Sequence, residues 1–330
     1  MPLISVIVPT YNRAELLKQA LRSVLDQADA DFEVIVSDNC SSDHTPEVMA
    51  AFQGDSRVLY SRNTTNLGMI GNWRHAIHDL ARGEWFMLMS DDDHLIDRSY
   101  LQKACAAIAE HQPRFIYSGA RIEDRLSGKV ETLLLPFDGL VPGEAVFASR
   151  GSVKPLDFVL ATAVFRRVDV RRLAFLDDPD NLSCDSEFYL KLCCEGKVFA
   201  IPTPSCVYVK HGGNLAVRIN TTRRLLAHNV RHVVNPLAYA RLIGIPEQAQ
   251  NSFRTNARLD EYIAFTLLKL WLHDESWYRE CRDGIAAALP DVLCDVESSV
   301  EYRSKRMLIA VLRPLLRKLF PLRETAPGAL

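Results

Sequence analysis

The chain has 330 residues, a formal net charge of -2 and 48% hydrophobic residues, enough for one large domain or two smaller ones. That balance excludes the strong basic field of non-specific nucleic-acid binding, and no apolar run nears the roughly 20 residues of a membrane-spanning helix. The eight cysteines are scattered and form no CxxC pair, so reduced thiols in a cytoplasmic setting are expected.

The opening run Leu3–Val8 ends at Pro9 with no basic segment before it, which reads as a strand and not as a signal peptide. Asn12 and Glu15 suggest a capping box, followed by Leu16, Leu17, Ala20, Leu21, Val24 and Leu25 on one helical face. Phe32–Val36 reads as a second strand ending at Ser37-Asp38, Thr45–Phe52 as a short helix and Val58–Tyr60 as a third strand. Met69–Leu80 reads as a helix, Trp85–Met89 as a fourth strand and Ser99–Glu110 as another helix. This βαβαβαβ order predicts an α/β fold: a mostly parallel, doubly wound sheet with helices on both faces.

Further on, Phe115–Tyr117 reads as a strand, Ile122–Leu135 as a hairpin turning at Ser127-Gly128, and Leu160–Arg166 as a strand leading into a helix. Cys184–Glu195 has helical spacing and stops at Gly196, and Val198–Ile201 and Cys206–Val209 read as strands. From Thr221 to Phe320 the pattern is helical, and Arg323–Leu330 reads as a frayed end.

Polar residues gather where the first four strands end: Thr10 to Arg13, Asp38 to Asp43, Asn63 and Asn66, and Asp91 to Asp93. Ligands of doubly wound sheets bind at those ends. The three aspartates either hold a hard cation, Mg²⁺ or Mn²⁺, which in turn holds a diphosphate, or form a solvated turn capping the next helix. The loop Pro9-Thr10-Tyr11-Asn12-Arg13 has no glycine, so neither a dinucleotide turn nor a Walker loop is available. A nucleotide is expected to be held instead by stacking on Tyr11 and by a hydrogen bond from a base N–H to Asp38.

The segments Val6–Arg13, Ser37–Asp43, Asn66-Leu67-Gly68, Gly83-Glu84-Trp85 and Ser90–Asp93, in this order and spacing, resemble the family 2 glycosyltransferases. The resemblance is good over about the first hundred residues and thinner to about residue 215. It implies a GT-A, Rossmann-like sheet plus a C-terminal helical region. The implied divisions are a nucleotide-sugar half over 1–97, an acceptor half over 98–215 and the helical region over 216–330. It also implies an inverting transfer of one sugar from a UDP-, dTDP- or GDP-linked donor to a glycan or lipid-linked acceptor, in polysaccharide or cell-envelope biosynthesis. By position, Pro9, Thr10, Tyr11, Arg13 and Asn66 border the nucleotide, Asp38 binds the base, Asp91 the ribose, and Asp92 the metal. Ser90 stands where the family's acidic motif usually opens with Asp, and Arg74 where an Asn is common; Arg74 either reaches a diphosphate or is a surface residue.

In the middle third, Cys184-Asp185-Ser186-Glu187 resembles the family's acidic helix start. Asp185 matches the usual catalytic base, Cys184 replaces the acid before it, and Asp185 as a plain helix cap is the other reading. His211, at a strand end before Gly212-Gly213, matches a residue that completes the metal or diphosphate site. The basic, apolar stretch 303–320, interrupted by Pro314, either lies on an anionic membrane surface or packs on the protein or on a second copy. Two other functions stay open at this point: a non-catalytic nucleotide-sugar or glycan-binding relative, and a metal-dependent nucleotidyltransferase.

Overall fold

The computed structural model describes residues 2–152, 158–212, 214 and 223–319, without the side chains of 223–225. Gly213 and the tail from Phe320, which includes the end expected to fray, lie outside the described residues. Contacts divide the chain into two units, one formed by Met1–Val146, Val153–Pro179 and Glu195–Gly212, the other by Phe147–Ser152, Asp180–Cys194 and Gly213–Leu330.

The first unit is built on β1 (Ile4–Thr10), α1 (Ala14–Leu25), β2 (Phe32–Asp38), α2 (Thr45–Ala50), β3 (Val58–Arg62), α3 (Gly68–His75) and β4 (Trp85–Leu88). It continues with β5 (His94–Leu95), α4 (Tyr100–His111), β6 (Phe115–Asp124), β7 (Lys129–Leu133), β8 (Gly139–Pro142) and α5 (Gly143–Ala148). β9 (Ala163–Arg166), α6 (Arg167–Arg172) and, after α7 (Cys184–Cys193), β10 (Lys197–Lys210) complete it. The sheet runs β3-β2-β1-β4-β9-β6-β10-β5. β1 pairs in parallel with β2 and β4, so strand order reverses beside β1, and a crevice opens at such a switch. β9 is antiparallel to β4 and β6, whereas β10 is parallel to β6. The hairpin β6–β7 forms as expected, Asp124 facing Lys129, with Gly128 at φ 73°.

Central strands buried on both faces read as continuous apolar runs. Ile4, Val6, Ile7 and Val8 of β1 and Trp85 to Met87 of β4 are inaccessible to solvent. The two strands expected at Val198–Ile201 and Cys206–Val209 are one, β10, bulged against β6 around Pro202 and Pro204. Each proline lacks a ladder N–H, so pairing is interrupted there without ending the strand.

The second unit holds α7, then α8 (Arg223–Asn229), α9 (Arg231–Leu242), α10 (Glu247–Asn256), α11 (Leu259–His273), α12 (Glu275–Ala288), α13 (Pro290–Ser298) and α14 (Val300–Leu319). Leu259, Ile263, Leu267 and Leu270 of α11 are fully buried in its core. Phe147 stacks on Phe253 at 4.2 Å between ring centroids. Segment 180–194 groups with these helices although it precedes β10 in sequence.

Candidate active site

The loop after β1 is shaped by hydrogen bonds from its neighbour after β2. Asn12 sits at φ 54° and Cys40 at φ 68°, a left-handed geometry that Asn tolerates better than most residues. Asn12 donates its N–H to Ser41 Oγ, and its Oδ1 accepts the N–H of Ser42. The capping box expected from Asn12 and Glu15 does not form. Arg13 is the cap residue of α1 and makes no side-chain cap bond. Instead Asp43 Oδ2 accepts the Ala14 N–H at 3.1 Å, so a carboxylate from a different loop serves the open helix end.

Asp38, at the end of β2, is wholly buried. Its Oδ1 accepts the Ser41 N–H at 2.8 Å, and its Oδ2 accepts the Tyr60 hydroxyl at 2.7 Å with Arg62 Nε 3.6 Å away. Both oxygens therefore act as a staple between the loop after β2 and β3. Burial and the Asp38 carboxylate push the Tyr60 phenol up, so it stays a donor. Next to it, Asn39 donates to Asn66 Oδ1 at 2.8 Å and accepts from the Leu67 N–H at 2.8 Å. Asn66 in turn accepts the Gly68 N–H at 2.8 Å. Tyr60 and Arg62 had not stood out in the sequence, because a Tyr and an Arg at a strand end usually mark no more than a surface.

The turn after β4 gives each aspartate a different environment. Thr10 Oγ1 donates to Asp91 Oδ2 at 2.7 Å, and Arg13 Nη1 reaches Asp91 Oδ1 at 3.1 Å and Asp92 Oδ2 at 3.0 Å. Burial pushes the Asp91 carboxyl up to about 6, with Arg13 and Thr10 opposing and Asp92 adding to the rise. Asp93 accepts the Val209 N–H at 3.0 Å, and burial together with Asp92 holds its carboxyl well above the usual range. It ties the turn to β10. Asp92 Oδ2 also lies 2.9 Å from His211 Nε2. The ends of β1, β4 and β10 thus bring Thr10, Arg13, Asp91, Asp92 and His211 together. Tyr11 stands 46% exposed beside them, a free ring face for stacking, and Pro9 is half-buried. Arg74 is exposed, as a surface residue is.

Asp92 and His211, joined by a hydrogen bond here, are two groups that could share one divalent cation. Two cis ligands at 2.0–2.1 Å from one ion lie about 3 Å apart, which is the Asp92–His211 separation seen. No cluster of three or more such ligands occurs among the described residues, so diphosphate oxygens and water would supply the other positions. Gly83 explains the Gly-Glu-Trp motif. Its N–H donates to Ser5 Oγ at 2.9 Å, and a Cβ there would meet the Ser5 backbone nitrogen at 2.7 Å.

Asp185 lies in the second unit, within the first turn of α7. It is half-buried, and its Oδ1 accepts the adjacent Ser186 N–H at 2.7 Å. Ser183, not Asp185, occupies the cap position. Burial raises the Asp185 carboxyl, opposed by that N–H and by the Arg150 charge. Glu187, the neighbouring acid, is consumed by Asn181 at 2.9 Å, Asn235 at 3.0 Å and Lys191 at 2.5 Å. Cys184 is buried, and its thiol is pushed well up by that burial.

Residues 5–138 match the family model described as Glycosyl transferase family 2. Over 109 residues the chain is 41% identical to the GalNAc(5)-diNAcBac-PP-undecaprenol beta-1,3-glucosyltransferase of Campylobacter jejuni, covering 32% of this chain and 35% of the relative. Over 156 residues it is 30% identical to a PGL/p-HBAD biosynthesis glycosyltransferase of Mycobacterium tuberculosis, covering 46% and 60%. The chain thus spans between about a third and three fifths of these two relatives. Among solved structures, S. aureus TarS 1-349 in complex with UDP-GlcNAc superposes with a TM-score of 0.64 at 17% identity, covering 98% of this chain and 95% of that one. The mannosyltransferase PcManGT from Pyrobaculum calidifontis, in complex with GDP-Man and Mn²⁺, gives 0.57 at 22% identity, covering 98% and 88%. At these identities the superpositions establish a shared fold, a mostly parallel α/β sheet with a helical C-terminal region.

Proposed function

We propose, from the premise that residues 5–138 are a glycosyl transferase family 2 domain, that this chain is an inverting glycosyltransferase. It moves one sugar from a nucleoside-diphosphate donor to a hydroxyl of a glycan or lipid-linked acceptor. The reading is carried by one observation: Arg13, Asp91, Asp92 and His211 converge at the carboxyl ends of β1, β4 and β10. Carboxylates, a guanidinium and an imidazole in one place suit a diphosphate and its counter-cation. Acceptors of both kinds are supported by relatives named for undecaprenyl-diphosphate glycan and poly(ribitol-phosphate) acceptors.

In this reading, Tyr11 stacks on the base, with Pro9 and Thr10 lining the same edge. Asp38 acts on the base mainly by fixing the Ser41 N–H and Tyr60. Asn66 holds the neighbouring loop through Asn39, and Asp91 is offered to the ribose. Asp92 and His211 hold Mg²⁺ or Mn²⁺, which when bound supplies Lewis-acid stabilisation of the departing diphosphate. Arg13 reaches Asp91 and Asp92. It orients both carboxylates and lends positive charge where the diphosphate leaves. Asp185 is the proposed base. It takes the acceptor's hydroxyl proton as that oxygen bonds to the anomeric carbon and the bond to the diphosphate oxygen breaks, inverting the configuration. Its raised carboxyl suits this role, because a base poised nearer working pH accepts a proton more readily.

The test is a thermal-shift screen of UDP-, dTDP- and GDP-sugars with and without Mn²⁺, followed by donor hydrolysis without acceptor. A stabilisation of about 2.7 kcal/mol is expected at 100 times Kd for one nucleotide class, dependent on the cation. No stabilisation by any donor would reject the donor site. Binding with no hydrolysis or transfer would make the chain a binding module.

A further inference from the structure

The last helix of the second unit has two faces of opposite character. Toward α11, Arg313 donates to the carbonyls of Trp271 at 2.7 Å and Leu272 at 3.2 Å, and Arg317 donates to Leu272 at 2.6 Å. Arg306 lies over the Trp271 ring at 5.2 Å. Arg313 and Arg317 close the open carbonyl end of α11, and with Arg306 on its Trp271 ring they rivet α14 to it. The other face is exposed and mostly apolar, with Ser304 and Lys318 set into it. Val300, Met307, Leu308, Val311, Leu315 and Leu319 fall within about 120° of the helix circumference, with exposures from 54% at Leu315 to 81% at Val300. Only Tyr302 of the described side chains on α14 is buried. Alongside runs a cavity of about 690 Å³ whose apolar wall includes Phe265, Leu268, Leu272 and Ile309.

We infer that this face is a docking surface for an anionic lipid bilayer, on which α14 lies flat. Charge decides the occupant. Residues 300–319 carry six cations against the single acid Glu301, in a chain whose net charge is -2. With three cations turned to α11, Arg303 and Lys305 border the apolar stripe and Lys318 lies within it; Arg303 also donates to the Glu297 carbonyl and Lys305 pairs with Glu301. Apolar residues edged by lysine and arginine suit the headgroup boundary of an acidic leaflet. A second copy docking here would bring another segment of six cations and one acid against the first, a like net charge that an anionic surface does not present. None of the described helices is long and apolar enough to cross a membrane, so the contact is one of lying on the surface. The inference does not depend on the activity proposed above.

The experiment is vesicle flotation of the full chain on phosphatidylcholine alone and on phosphatidylcholine with phosphatidylglycerol, beside the double variant Val311→Glu, Leu315→Glu. Both positions are exposed, so the fold, followed by circular dichroism and melting, is expected unchanged. The expected result is binding to the anionic vesicles only, weakened by salt and lowered roughly tenfold or more in the variant. Equal binding to neutral vesicles, binding the variant retains, or no binding at all would overturn the inference. So would a dimer on size-exclusion chromatography that the variant dissociates, which would give the face to a second copy. Donor binding by the variant, measured in parallel, is expected to match the wild type whether or not the vesicle result holds.

Discussion

The acidic turn after β4 and the start of α7 both present carboxylates, yet they treat them differently. In the turn, every aspartate already has a partner: Arg13 and Thr10 for Asp91, Arg13 and His211 for Asp92, the Val209 N–H for Asp93. At α7, Glu187 is tied down by three donors, while Asp185 has one neighbouring N–H. Burial raises Asp91, Asp93 and Asp185 alike, so the two regions differ in partners: Arg13 opposes the rise at Asp91 and keeps positive charge at the turn, whereas Asp185 keeps spare accepting capacity, as a group that must take a proton needs.

The comparison breaks first at Asp185. Asp185→Asn is predicted to lower turnover by about 10²–10⁴ while donor binding stays nearly intact. If donor affinity collapses and saturated turnover does not, the acid is structural. The raised carboxyl also predicts an acid limb in the pH–rate profile lying above pH 3.8, absent in the variant. The stability sign follows from the same shift. A raised folded value favours the protonated form, so the stabilisation is present below the unfolded value and is lost as pH climbs through the folded one. Urea midpoints of wild type and Asp185→Asn should therefore diverge with rising pH, the wild type losing relative stability; a constant difference would remove the assigned shift.

The turn is tested by Asp92→Asn. Nucleotide titrations should lose their response to Mn²⁺, because only His211 would remain of the pair, and an unchanged response would reject the metal assignment. A smaller effect is expected at Gly83→Ala. The added methyl meets Ser5 backbone and Ser5 Oγ at 2.7 and 2.8 Å, and overpacking of this kind costs about 1–3 kcal/mol by chemical denaturation. Tyr60→Phe is the mildest. It removes one donor from the buried Asp38, about 1–3 kcal/mol at most, and a loss below measurement would mean the Ser41 N–H and Arg62 suffice.

Much of the fold was legible. The alternating apolar runs gave the order of strand and helix through β4, because β1, β2 and β4 are buried on both faces; the two-residue strand β5 was too short to leave a pattern. The sequence also pointed to the three strand-end loops that meet around Arg13. It did not reveal that Asp38 is wholly consumed by its own loop and by Tyr60, because hydrogen bonds between distant segments leave no periodic trace. The helix cap at Ala14 was misassigned for the same reason: its donor's partner, Asp43, is 29 residues away. The split strands of β10 were a different failure, since two prolines mimic a boundary where the ladder merely skips.

That skip bears on His211, the proposed metal ligand. Between Ile201 and Cys206 β10 advances five residues while β6 advances two, from Ser118 to Ala120. An odd surplus inverts which side of the sheet every later residue faces. His211 follows β10 directly, and a one-residue deletion at that kink, with the strand before it held in place, would bring Gly212 to the imidazole's position beside Asp92.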